Sequence, residues 1–338
     1  MTAVLEIAGL RKTYRSRRRG VRHALDGFDM TVGAGQVHGF LGPNGSGKTT
    51  TLRTLLGLIE PDGGRMALFG QEVPAALPQV IGQVGAVVES PHFFGNFSAR
   101  DTLSLLAGAG DVPQQRVTEV LELVGLRDRS KDRVKTFSLG MKQRLAVASA
   151  LLKEPKLMIL DEPANGLDPS GIREMRSLMR DLADSGMTVL FSSHILGEVQ
   201  LICDEVTIIS LGRRVAAGPV HEVLAAHSGN ALRVRLEAVT DLPLAAETLT
   251  GAGLQVTAHP DHLLINGVDK PAVVTRALAE RRLWVSELTP LEADLESVFL
   301  ELTGTMPVPG QHRQVDQSAV VADAPAGSTG TREEGSGA

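Results

Sequence analysis

Residues 42 to 49 read Gly42-Pro43-Asn44-Gly45-Ser46-Gly47-Lys48-Thr49, the spacing G-x-x-x-x-G-K-[ST]. These residue types suit a polyphosphate. Backbone N–H groups wrap phosphate oxygens only where the chain can curl without side chains in the way, and Gly42, Gly45 and Gly47 provide that freedom around Pro43, Asn44 and Ser46. Lys48 then sets a point cation against the β- and γ-phosphates, and the Thr49 hydroxyl is placed to ligate Mg²⁺. Such a loop has to be held between a strand and a helix. Val37 to Leu41 reads as a short buried strand before it. Thr50 to Gly57 carries apolar residues at helical spacing with Gly57 as a stop, so the helix N-terminus, Thr50 included, adds its partial positive charge beneath the phosphates. The expectation is a nucleoside triphosphate with Mg²⁺.

The rest of the chain has to build that frame. Its 338 residues suggest more than one domain, and 43% hydrophobic content is ample for a sizeable core. A formal charge of −5 disfavours a nucleic-acid partner, which calls for a basic domain or face. The single cysteine, Cys203, makes no internal disulfide, and the Met1 end lacks the apolar run and small-residue cleavage site of a signal peptide, so a cytoplasmic site is expected. No apolar stretch approaches the roughly 18 to 20 residues that span a bilayer. A membrane role would come through a partner.

Taken in order, Val4 to Leu10 alternates as an opening strand, and Tyr14 is the sole tyrosine. Arg15, Arg17, Arg18, Arg19 and Arg22 form a basic run that could contact phosphate or anionic lipid headgroups, but a solvated hairpin loop is the commoner reading, and the run is assigned no site. Asp26 to Val32 resumes strand character. Pro61-Asp62-Gly63-Gly64 is a turn before the apolar run Met66 to Phe69, and from Pro74 to about Asp132 the pattern is largely helical, an insertion. A second parallel-sheet half follows: strand Leu157 to Leu160, helix Ile172 to Ala183, and strands Thr188 to Phe191 and Val206 to Ser210.

Over roughly residues 4 to 220 the chain resembles the ATP-binding-cassette (ABC) ATPases, whose further motifs follow the phosphate loop in the family's order. Ser138-Leu139-Gly140-Met141-Lys142-Gln143-Arg144 is similar to the family signature, Leu157 to Glu162 to the Walker B strand, Asn165-Gly166-Leu167-Asp168 to the D-loop, and Ser192-Ser193-His194 to the switch histidine. The resemblance implies an α/β P-loop NTPase of ABC type, a RecA-like core with a helical subdomain at about 90–150, that binds ATP and Mg²⁺. Asp161, at the end of a buried strand, would order the waters of Mg²⁺. Glu162 points elsewhere and can act as general base toward the attacking water, which His194 would orient. Ser138 sits where a helix N-cap belongs, before a helix over Leu139 to Lys153.

Other roles rest on the resemblance alone. It implies that Ser138 and Gly140 act at the nucleotide held by a second subunit, so that ATP joins two chains, that Asp168 of the D-loop is a nucleotide-binding residue, and that Tyr14 stacks on adenine. Phe137, Leu139 and Met141 depart from the usual signature, and Glu89 stands where most of the family has the glutamine of the Q-loop, near both nucleotide and metal. The segments Val84 to Leu103 and Phe137 to Leu145 are similar to the bacitracin-resistance, lantibiotic-immunity and drug-export subgroup, which implies a separately encoded ABC-2-type membrane permease as partner.

Beyond Gly218-Pro219 the order of elements is β-α-β-β-α-β, a small ferredoxin-like α+β domain at 221–305 with a final helix over Leu291 to Leu302, and 306–338 reads as a disordered tail. The expected function is an ATPase subunit that dimerises, as homodimer or heterodimer, and drives export of a drug, peptide antibiotic or lipid-like molecule. The rival is a soluble ABC ATPase acting on nucleic acid or translation, which calls for tandem cassettes, a coiled-coil insertion or a basic face, none of which is evident.

Overall fold

The computed structural model describes residues 3–16, 20–89, 92–227, 231–268, 270–291 and 295–303. Three sheets organise them. Strands β1 (Ala3–Ser16) and β2 (Gly20–Gly33) form a long antiparallel hairpin, β3 (Val37–Leu41) leads into the phosphate loop, and helix α1 (Lys48–Leu55) leaves it. Strands β4 (Gly63–Leu68) and β5 (Gln71–Val73) join the hairpin in the order β2-β1-β4-β5. The short helix α2 (Leu77–Val80) precedes β6 (Val84–Val87), and then come α3 (Ala99–Ala109), α4 (Gln114–Leu123) and α5 (Leu139–Leu151). Strand β7 (Leu157–Asp161), α6 (Pro169–Asp184), β8 (Thr188–Ser193), α7 (Leu196–Ile202), β9 (Glu205–Ser210), β10 (Arg213–Pro219) and α8 (Val220–His227) complete the second sheet and its helices.

That sheet runs β10-β9-β3-β8-β7-β6, parallel except for the edge strand β10. Its central strands are buried on both faces, which is why they read as continuous apolar runs. Alternate residues serve two cores. Met158, Leu160, Val189 and Phe191 face the helices, whereas Leu157, Ile159 and Leu190 face the antiparallel sheet and α1. The segment expected to be helical from Pro74 to Asp132 contains the edge strand β6. Its Val84-Gly85-Ala86-Val87 is too short and too interrupted by Gly85 to show a period, and pairing with β7 decides it.

The third sheet comprises β11 (Ala231–Leu236), β12 (Gln255–Ala258), β13 (Leu263–Asn266) and β14 (Val285–Leu291), with α9 (Leu242–Gly251) and α10 (Pro271–Glu280) between them. Its order, β12-β13-β11-β14, and its wholly antiparallel pairing are those of a ferredoxin-like unit, and it has its own apolar core. The last helix, α11 (Leu295–Thr303), packs elsewhere: Leu295 and Val298 join the core beneath the parallel sheet, as do Val220 and Val223 of α8. Residues 306–338, expected to be a disordered tail, lie outside the described residues.

Candidate functional site

The phosphate loop is shaped by close approaches that only glycine allows. A Cβ on Gly42 would lie 2.4 Å from the Ile209 carbonyl and 2.4 Å from Ser46 Oγ. Gly47 has φ +120°, and a Cβ there would meet the Ala24 carbonyl at 2.6 Å. The loop is tied on both sides: the Ser46 N–H donates to the Pro43 carbonyl, and the Gly212 N–H donates to the Ser46 carbonyl at 2.9 Å. Gly47 brings no side chain to cap α1, so the first N–H groups of that helix have no intrahelical acceptor and stand open to an anion. Ser46 Oγ is buried with no hydrogen-bond partner among the described residues, a further polar atom that fits an added ligand.

An open cleft of about 450 Å³ lies over this loop, lined by Asn44, Gly45, Gly47, Lys48, Thr49 and Thr50 together with Tyr14, Arg22, Ala24, Arg53, Glu162, Asn165 and His194. Elements far apart in sequence meet here. Lys48 Nζ donates to the Gly42 carbonyl at 2.7 Å and lies 3.3 Å from Glu162 Oε1, while Glu162 Oε2 is 2.6 Å from His194 Nδ1. Glu162 holds φ +51°, just past the end of β7, and its N–H donates to Ser192 Oγ at 2.9 Å. Ser192 Oγ in turn donates to Asp161 Oδ1 at 2.5 Å, so one serine ties the Asp161 carboxylate to the Glu162 backbone. Tyr14 is 41% exposed at the cleft rim, with Lys12 Nζ 5.9 Å from its ring centroid.

Four residues expected at the nucleotide lie away from the phosphate loop and outside the lining of this cleft. Glu89 follows β6 with φ +96° and pairs with Arg53. Ser138 caps α5 by accepting from the Met141 N–H at 3.2 Å, and Asp168 caps α6 by accepting from the Gly171 N–H at 3.1 Å. Gly140 lies against Leu167, 3.8 Å from where a Cβ would sit, so the starts of α5 and α6 form a second cluster of Ser138, Gly140 and Asp168. Gly42, Pro43, Ser46 and Asp161 lie at or beneath the loop, outside the lining.

Arg22, Arg53 and Asn165 also line the cleft, although sequence spacing assigns no site to Arg22 or Arg53 and marks Asn165 only as part of the D-loop motif. Arg22 Nη2 donates to the Gly45 carbonyl at 2.6 Å, so this end of the basic run reaches the phosphate loop instead of only solvent. Its signal was the hairpin register, which sets Arg22 directly opposite Tyr14.

The ABC transporter family is matched over residues 25–165. The chain is 35% identical, over 94% of its length and 97% of the relative's, to the daunorubicin/doxorubicin resistance ATP-binding protein DrrA of Streptomyces peucetius. It is 44% identical to the bacitracin transport ATP-binding protein BcrA of Bacillus licheniformis, over 63% of this chain and 69% of that one. The solved structure of cbiO1 from Clostridium perfringens, part of the ABC transporter complex cbiONQ, superposes with a TM-score of 0.60 at 27% identity, covering 75% of this chain and 99% of that one. Phosphate loop, acidic strand end, histidine and whole-length similarity converge: the chain belongs to the ABC transporter ATP-binding proteins, ATPases coupled to transport.

Proposed function

We propose that the chain is the ATP-binding and ATP-hydrolysing subunit of a separately encoded ABC-2-type exporter, and that it closes with a second copy, or a similar chain, on ATP. The observation that carries this reading is the meeting of Lys48, Glu162 and His194 over the phosphate loop. Lys48 holds the β- and γ-phosphates, and Tyr14 stacks on the adenine. Glu162 takes a proton from the attacking water, and His194, on the other oxygen, fixes the carboxylate's direction. Thr49 and Asp161 fit Mg²⁺, which takes one or two carboxylates and completes its shell with phosphate and water oxygens. When bound, it offsets phosphate charge. Glu89 can add a third oxygen only by leaving Arg53.

Ser138, Gly140 and Asp168 serve the second subunit's nucleotide in this reading, consistent with their place outside the chain's own cleft. No described helix is long and apolar enough to cross a membrane, and the path is assigned to the permease, with this subunit at the cytoplasmic face. Bacitracin transport by BcrA and daunorubicin/doxorubicin resistance by DrrA support a drug or peptide antibiotic as cargo, with a lipid-like molecule as the alternative.

Co-expression with the permease, with ATPase rate and efflux measured together, tests this. Glu162→Gln should lower turnover by about 10² to 10⁴ while ATP binding persists. Glu89→Gln should keep ATPase activity within about tenfold, near 1.4 kcal/mol, and reduce efflux further, because Glu89 links the cleft to the helical segment that follows it. Turnover of Glu162→Gln within about threefold of wild type would refute the base assignment.

A further inference from the structure

Three long cations line the nucleotide cleft, and two of them face a carboxylate: Lys48 approaches Glu162 at 3.3 Å, and Arg53 pairs with Glu89. Arg22 differs. Among the described residues it has no carboxylate partner, and its Nη2 donates to the Gly45 carbonyl at 2.6 Å. A guanidinium has about five N–H donors in a planar fork, so a single bond to one carbonyl leaves most of that fork available to the cleft.

The hairpin settles where along a nucleotide this fork would act. Arg22 and Tyr14 are directly paired across β2 and β1, so both side chains project from the same face. Tyr14 marks the base end of the cleft, and Glu162 with His194 marks the γ-phosphate end. Arg22 reaches from the Tyr14 side to Gly45, in the middle of the phosphate loop. Gly45 has φ +81°, and a Cβ there would lie 2.9 Å from Arg22 Nη2, so glycine at this position makes both the loop's turn and the room for the guanidinium.

We propose that Arg22 is a nucleotide-binding residue whose guanidinium takes the α- and β-phosphate oxygens that ATP and ADP share. The proposal rests on the nucleotide reading of the cleft given above. Guanidinium suits the task because its paired donors match phosphate oxygens and, among the described residues, its charge is not already offset by an acid. Held by Gly45, the fork is partly ordered before the ligand arrives, which lowers the entropy that binding costs.

The test is equilibrium binding of ATP and of ADP to the full chain by titration calorimetry, for wild type, Arg22→Gln, Arg22→Lys and Lys48→Ala, with melting curves confirming that each variant is folded. Arg22→Gln should weaken ATP and ADP by the same factor, about tenfold, and Arg22→Lys by less. Between about 50 mM and about 500 mM salt the affinity of Arg22→Gln should fall less steeply than that of wild type, since one charge pair is gone. Equal affinities in wild type and Arg22→Gln overturn the proposal, as does a loss confined to ATP. A loss with unchanged salt dependence also overturns it, because it would make Arg22 only a support for Gly45. Failure of the wild type to bind ATP, or normal binding by Lys48→Ala, would strike instead at the reading of the cleft.

Discussion

His38 lies on β3, the strand that delivers the phosphate loop, with 1% of its surface exposed. Gln36 Nε2 lies 3.3 Å from its Nδ1, and Thr207 Oγ1 lies 2.9 Å from its Nε2, an arrangement that suits the neutral ring. Burial pushes its pKa from 6.5 down to about 4, and the Glu205 carboxylate, 3.7 Å away and partly exposed, does not reverse that direction. The sign follows from proton counting. Between pH 6.5 and about 4 the unfolded chain holds a proton on this ring that the folded chain refuses, so stability falls as pH falls through that window, by up to about 3 kcal/mol. Denaturant unfolding at pH 7.5 and at pH 4.5 should therefore show a smaller loss in His38→Gln than in wild type; equal losses would remove His38 as the cause. At this scale Lys48, Glu162 and His194 were legible because their chemistry needs fixed types beside fixed turns. Arg22 was not, since a hairpin arginine and a cleft arginine differ only in register.

Among the elements, α1 is positioned by glycine-dependent contacts at both ends: Gly47 at its start and Gly57, with φ +70°, after its last turn. That geometry is written locally, and so are the helices α5 and α6 with their Ser138 and Asp168 caps. Strand β10, an antiparallel edge with no buried side chain, was missed because its residues alternate too weakly to show a period. The destination of α11 also escaped the sequence, because an apolar helical face does not state which core it will enter. Leu295 is fully buried in the core under the parallel sheet, and its N–H donates to Gln200 Oε1 of α7 at 3.1 Å. Leu295→Ala should cost about 2 to 5 kcal/mol in denaturant unfolding, as for a core leucine. A loss under about 0.5 kcal/mol would mean that α11 contributes no real packing.

At the scale of the whole molecule, the chain carries two unlike clusters of residues, which the proposed mechanism treats as half-sites. The cleft gathers the phosphate loop, Glu162 and His194, whereas Ser138, Gly140 and Asp168 cluster at the starts of α5 and α6 and do not line it. Neither half is complete by itself in the proposed mechanism. A slow-hydrolysing variant should therefore trap two chains around ATP, with the adhesion coming from phosphate oxygens received by the second chain's helix N-terminus. Sedimentation equilibrium of Glu162→Gln measures this directly. The expected mass is 35.8 kDa without nucleotide and with ADP, twice that with ATP, with no ATP-dependent change when Lys48→Ala is added. A Glu162→Gln chain that binds ATP yet stays at 35.8 kDa at every protein concentration would contradict it.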